Sequence, residues 1–498
     1  MQSQDLPYAL LIGAIFFYFL LLLGISWWKG RNSNADGYFL GGKDSPWYLV
    51  AFGMIGDSLS GVTFVSVPGE VGLKQFAYLQ LVLGYLIGYQ VIARVLLPLY
   101  YRLNLTSIYS YLGMRFNEVA QKTGSMYFLL SRTIGAAFRL YISAGALQLF
   151  LFDPLGVPFA VSVSVIIILI LLYTLQGGIK SLVWTDTFQS LFLLLGVLLT
   201  AWAIIDQLGW SLGTAVQQIA SSKYATVFNW DPKSKLYFWK QFISGAFIAI
   251  VMTGLDQNMM QKNLSCKTLP EAQKNMQWFS VIVVLVNVVF LSLGALMYLY
   301  ADQTGLAVPS KTDMFLPMLT LNYLGAFAAV VFLLGITAAT FSSADSVLTT
   351  LTTSFYIDIA RIDQKEGLDD KRKKRLRNSI HAGFSFVLLL VILLFRELNN
   401  DSVISGIFVA AGYTYGPLLG LFAFGILMKR SLPAKWIVPI CIAAPVASWL
   451  LWYNSERWFG GYQIGFELLI LNGLLTFLGL LAISKTAEED VRVNLKSL

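Results

Sequence analysis

Apolar stretches long enough to cross a bilayer as helices, about 17 to 25 residues each, recur along the whole chain. Hydropathy divides it into about thirteen spans, near residues 7–28, 46–70, 76–101, 123–152, 158–177, 181–206, 239–261, 275–301, 323–356, 380–397, 402–428, 435–453 and 465–484. The first has no basic flank before it and no small-residue cleavage site after it, so it is expected to stay in the mature protein. The ninth is too long for one straight span, and its far end is expected to leave the bilayer.

Charge orients these spans. Lys29, Arg31 and Lys43 follow the first, Lys262, Lys267 and Lys274 follow the seventh, and Arg361 with the run Lys371 to Arg377 follows the ninth. Basic connections face the cytoplasm, which puts the N-terminus outside and the C-terminus inside. The aromatic connections at Trp210 and Phe228 to Trp239 suit the outer interface. The five spans of 46–206 and the five of 239–428 start on opposite sides, which is the arithmetic of an inverted repeat.

Composition agrees with this reading and narrows it. Of 498 residues, 57% are hydrophobic and 12% charged, and mean hydropathy is +0.67, so the chain is an all-α polytopic membrane protein. The net charge of +8 sits mostly in short connections that also set topology, so it does not indicate nucleic acid. The two cysteines, Cys266 and Cys441, form no metal or disulfide pattern. No phosphate-binding loop, His/Cys metal set or nucleophile elbow appears, which argues against an ATP-driven pump or an enzyme.

Three places offer chemistry. The ninth span carries Ser342, Ser343, Asp345 and Ser346 within a turn and a half, and such groups at bilayer depth need protein, water or an ion. Thr349, Thr350, Thr352 and Thr353, by contrast, are expected to bond the carbonyl one turn back. The second span, Phe52 to Gly69, is interrupted by Gly53, Gly56, Gly61 and Pro68 beside Asp57, Ser58 and Ser60. Unwinding near Gly56 to Gly61 would free carbonyls for a cation; the alternative is a kinked, closely packed helix. In Gly177 to Gln189, Asp186 is either a helix cap or a second cation ligand. Arg132 and Arg139 share one face of the fourth span, and Arg139 lies roughly 20 Å into it. Its partner is to be sought in Asp345, Asp57 or a substrate carboxylate. His381 reads as an interfacial residue.

At these residues the chain resembles the sodium/solute symporter family. The motifs are GGIKSLVWTDTFQ at Gly177 to Gln189, the loop Leu97 to Phe116, GLDQNMMQK at Gly254 to Lys262 and GYTYGPLLGLFAFG at Gly412 to Gly425. The resemblance covers nearly the whole chain and implies a five-plus-five inverted repeat, a LeuT-like core, with one span before it and two after (435–484). It also implies sodium-driven uptake by alternating access, in one transmembrane domain over 1–498. Matched residue by residue, the main sodium site takes carbonyls of Gly56, Leu59 and Ala339 and hydroxyls of Ser342 and Ser343. A second cation site would use Asp186 with Ser342, Asp345 and Ser346; Asp345 departs from the serine that relatives with this site carry.

The expected function is sodium-coupled import of a small organic solute, with a carboxylate such as sialic acid or a monocarboxylate first and a sugar or amino acid as alternative. The broken-helix stretch is most similar to the sialic acid, multivitamin, monocarboxylate and iodide carriers. Other classes to weigh are a transporter-like sensor and a passive uniporter or channel. Candidate solute residues are Ser58, Ser60, Thr63, Gln80, Arg139, Asp256 and Gln257. No cofactor is expected beyond sodium as coupling ion, and no catalytic residue. The partners are sodium, the solute and the bilayer of the plasma (inner) membrane, with the protein acting as a monomer.

Overall fold

A backbone surrounded by lipid must satisfy its own hydrogen bonds, and helices do this within one segment. The computed structural model, which describes residues 8–30, 35–398 and 403–486, accordingly consists of helices, with one pair of two-residue strands joining Arg430 to Thr486. A helix or helix pair falls in each of the thirteen apolar segments. Among the described residues, seven helices are long and apolar enough to span a membrane, or nine when two bent pairs each count as one span. The others include shorter apolar helices, such as Phe159–Leu175, Gly416–Leu427 and Leu468–Ile483.

Both bent pairs bear on function. In the second span, helix Trp47–Ser58 stops, Leu59 (φ −104°, ψ 79°) and Ser60 (φ −74°, ψ 176°) leave helical geometry, and helix Gly61–Lys74 restarts at 59° to the first. This is the expected unwinding, confined to two residues; Pro68 sits inside the second helix without ending it. The second break, in the seventh span, was not anticipated. Helix Phe238–Ala249 runs through a π turn, Ile250–Gly254, and after Leu255 and Asp256 helix Gln257–Asn263 leaves at 68°. Its local cause is the Asp256 side chain, which accepts from Met259 N at 3.2 Å and so caps the new helix.

The ninth span forms one helix, Gly325–Ser354, followed by a π turn, Phe355–Ile359. Every residue from Gly335 to Ser354 is buried. It packs on helices Ile179–Gln207 and Glu118–Leu147 and against both halves of the broken second span. A helix rich in Ser and Thr and covered on all sides is shielded from lipid by protein, which is what its hydroxyls require.

Glycines set the closest approach between spans. Helices Tyr78–Val91 and Phe238–Ala249 meet so tightly that a Cβ on Gly84 would overlap the Phe242 carbonyl oxygen, and one on Gly245 the Leu81 carbonyl. Gly135, on helix Glu118–Leu147, has nothing within 4 Å of such an atom. We therefore expect Gly84→Val to destabilise the purified protein by about 1–3 kcal/mol through overpacking. Gly135→Ala should instead be neutral or stabilising by about 0.5–1 kcal/mol. Melting temperatures in one detergent compare the two directly.

Candidate functional site

The hydroxyls of the long helix divide into two groups. Thr349, Thr350, Thr352 and Thr353 donate to the carbonyls of Asp345, Ser346, Leu348 and Thr349 at 2.7–3.0 Å, as expected for threonines in a membrane helix. Ser342 and Ser343 are buried and their hydroxyls have no hydrogen-bond partner. The break in the second span lies against them: a Cβ on Gly56 would fall 2.9 Å from Ser342 Oγ, and one on Gly61 3.9 Å from the Ala339 Cβ. Leu59 is buried at the break itself. Unsatisfied hydroxyl oxygens beside interrupted backbone form an oxygen-rich site suited to a hard monovalent cation.

Behind this site a buried ammonium bridges two carboxylates. Lys262 Nζ donates to Asp57 Oδ2 and, at 2.5 Å, to Asp186 Oδ2, and all three side chains are at most 1% exposed. Read from sequence as a charge of a cytoplasmic connection, Lys262 is instead carried inward by the short helix that follows the Asp256 break. Asp186 lies two turns inside helix Ile179–Gln207, whose N-cap is Gly178, so it is not a helix cap. Ser346 Oγ reaches Asp186 Oδ2 at 3.4 Å. Asp345 faces elsewhere: its Oδ2 accepts from Tyr173 at 2.7 Å and Gln189 Nε2 at 3.2 Å, and its Oδ1 accepts from Ser346 N. The four residues expected to gather round a second cation are therefore split, with Asp186 on Lys262 and Asp345 on Tyr173.

On the other side of the break lies a cavity of about 80 Å³, lined among others by Ser58, Ser60, Thr63, Arg139 and Tyr78. Tyr78 also lines a chamber of about 250 Å³ with Glu70, Lys74 and Lys235. Arg139 faces the cavity and donates to the Asp57 carbonyl oxygen at 3.1 Å; it pairs with neither Asp345 nor the Asp57 carboxylate. Arg132 does have a carboxylate: its guanidinium makes a bidentate pair with Asp256 at 2.6 and 2.7 Å, and Tyr415 donates to the same carboxylate at 2.6 Å.

Three candidate solute residues are thereby corrected. Asp256 is consumed by Arg132, Tyr415 and its own helix cap. Gln257 accepts from Ile108 N at 2.9 Å and donates to Thr106 O at 2.8 Å, fastening the loop after the third span. Gln80 donates to the carbonyls of Ala77 and Leu236 and accepts from Asn229 N, so it holds the connection between the sixth and seventh spans. His381 is also corrected: it is fully buried, with its ring nitrogens 2.8 Å from Thr174 Oγ1 and 3.0 Å from Thr352 Oγ1.

Membrane helices broken in two places, around a small polar cavity and an oxygen-rich site, define a secondary transporter of the inverted-repeat class. The sequence profile of the Sodium:solute symporter family matches residues 38–433, and the chain belongs to that family. It is 25% identical over 497 residues to the sodium/sialic acid symporter SiaT of Proteus mirabilis, covering 96% of each chain. It is likewise 25% identical over 438 residues to the human sodium/iodide cotransporter, covering 84% of this chain and 65% of that longer one. A solved substrate-bound, outward-open structure of a Na+-coupled sialic acid symporter superposes with a TM-score of 0.81 at 21% identity, over 96% of this chain and 99% of that one. Mhp1, a nucleobase-cation-symport-1 family transporter, does so at 0.57 and 14%, over 94% and 100%. At these identities the two structures speak for the fold alone. The protein is a sodium:solute symporter; its family and fold are those of transporters.

Removing Lys262 alone would leave two buried carboxylates facing each other. We expect Lys262→Met to destabilise the protein by about 3–5 kcal/mol, and the triple change Lys262→Met, Asp57→Asn, Asp186→Asn to recover much of it, because the charges leave together. Thermal unfolding of the three proteins measures this. If the triple variant is no more stable than Lys262→Met, the ammonium does not hold these two carboxylates.

Proposed function

We propose that this symporter imports a small organic anion, one carboxylate at a time, with one sodium ion held by the carbonyls of Gly56, Leu59 and Ala339 and the hydroxyls of Ser342 and Ser343. The observation that carries this is the contrast on the long helix: four threonines spend their hydroxyls on their own backbone, while Ser342 and Ser343, at the break, spend theirs on nothing among the described residues. For the solute, support comes from Arg139, which faces the cavity with Ser58, Ser60 and Thr63 and has no carboxylate partner among the described residues. Among relatives of this chain are proteins named as sodium/sialic acid symporters and sodium-coupled monocarboxylate transporters. Entry is from the larger chamber past Tyr78.

Lys262 sets the stoichiometry in this reading. Its ammonium already stands between Asp57 and Asp186, so the second cation position has a resident charge and one sodium suffices. Spans 46–206 and 239–428 are, in this reading, the two halves of the inverted repeat, with 435–484 as an accessory pair. The basic connections support an N-terminus outside the plasma (inner) membrane and a C-terminus in the cytoplasm.

Uptake into proteoliposomes under a sodium gradient, comparing sialic acid, lactate, glucose and proline, tests the solute class. We expect a carboxylate to accumulate and Arg139→Gln to raise its KM by about tenfold or more, in keeping with the loss of a charge-assisted hydrogen bond. Accumulation of glucose or proline with no carboxylate taken up would overturn the assignment.

The ion site has its own test. Ser342→Ala and Ser343→Ala should each raise the sodium concentration for half-maximal uptake by roughly tenfold. Thr340→Val, which removes only a bond to the Ile336 carbonyl, should leave it unchanged. Equal sodium dependence in all three would remove the two serines from the site.

A further inference from the structure

A third cavity, of about 410 Å³, shares no lining residue with the one at Arg139 and lies where helix Leu97–Arg102 ends the third span and helix Gly416–Leu427 ends the eleventh. Four cationic side chains line it, Arg94, Arg102, Arg115 and Lys429, and no acidic one does. Arg94, Arg102 and Lys429 are exposed, and among the described residues none of the four forms an ion pair.

Arg115 differs from the others. It is 5% exposed and anchored by the backbone of the eleventh span and its connection: Nε donates to the Gly425 carbonyl at 3.1 Å, and Nη2 to those of Met428 and Arg430. The Phe116 ring lies 4.7 Å from the guanidinium carbon. Arg115 lines the cavity, and its other terminal nitrogen, Nη1, is buried with no hydrogen-bond partner among the described residues. A buried guanidinium held rigidly by three carbonyls, with donors left over, is a preorganised anion receptor.

We propose that this cavity binds the phosphate of an anionic membrane lipid. Four like charges around one space repel each other, and a phosphate among them relieves that repulsion while accepting the free donors of Arg115 in the planar geometry that guanidinium and phosphate share. The ligand comes from the bilayer because the cavity wall includes Val95 and Ile426, apolar side chains 43% and 37% exposed at the ends of membrane helices, where acyl chains would lie. Basic pockets between helices at the cytoplasmic face are built for such headgroups, and that side follows from the topology proposed above. The site goes beyond the transport reading and shares no residue with the ion or solute positions; it rests on the proposed topology for its side of the membrane alone.

The test uses the full-length protein in nanodiscs of phosphatidylcholine with a minor share of phosphatidylglycerol, with retained lipid counted by native mass spectrometry and melting temperature followed in parallel. The substitutions are Arg94→Gln, Arg102→Gln and Lys429→Gln together; Arg115 is kept because it holds the backbone. We expect the parent to retain phosphatidylglycerol over phosphatidylcholine and the triple variant to lose about a hundredfold of that preference, at about a factor of five per charge. Should the triple variant fail to fold, Lys429→Gln alone should show the single-charge loss of about fivefold. Equal retention by parent and variant would overturn the site. Equal thermal protection by inorganic phosphate without lipid would move the ligand to the aqueous phase and overturn the lipid assignment.

Discussion

Two carboxylates, Asp57 and Asp186, are buried among the helices, and the arrangement of the core follows from how they are neutralised. An isolated carboxylate at that depth is too costly to keep, and a straight seventh span would carry Lys262 away along its own axis. The break at Leu255 and Asp256 turns the chain by 68° and brings the ammonium onto both acids. Asp57 stands two residues before the other break, so one ion-pair cluster ties together the two places where the backbone is interrupted. Asp256, which causes the turn, is itself neutralised by Arg132 and Tyr415. Each break is thus flanked by a charged group whose partner comes from another span, which keeps irregular backbone inside protein rather than lipid.

The same geometry links ion to solute. The stretch Gly56 to Ser60 faces Ser342 on one side and the cavity on the other, and Arg139 donates to the Asp57 carbonyl in its middle. In the function proposed above, a cation that ordered this stretch by drawing its carbonyls together would also fix Ser58 and Ser60 in the wall of the cavity. By linkage, a solute that holds the same residues tightens the ion by the same factor.

The sequence made the interrupted second span legible because glycine, serine and aspartate crowd into a run that should be continuous helix. It also separated Ser342 and Ser343 from the threonines beyond them, since a carboxylate nearby marks a polar environment rather than self-satisfied hydroxyls. Lys262 was missed because a lysine at the end of an apolar block looks the same whether it enters the loop or turns back. The signal was available in Asp256, a capping residue six positions earlier, which starts a new helix in a new direction. Gln80, Asp256 and Gln257 read from sequence as solute ligands because buried polar side chains serve structure and binding alike. Only their partners, the carbonyls of Leu236 and Thr106 and the guanidinium of Arg132, tell the roles apart.

If Lys262 stands in place of a second ion, as proposed, there is an energetic consequence. A sodium that crosses with its solute contributes its concentration gradient and, when net charge moves, about 2.3 kcal/mol per elementary charge for each 100 mV of membrane potential. Lys262 crosses nothing, so it neutralises Asp57 and Asp186 without adding driving force. With a monovalent anion, a one-sodium cycle moves no net charge, and accumulation is bounded by the sodium gradient alone. A neutral solute in the same cycle would be drawn in by the potential as well. Were Arg139 to meet the solute as proposed, the charge of the group it meets would decide the energetics as well as the specificity, because that charge sets whether the potential acts on the step.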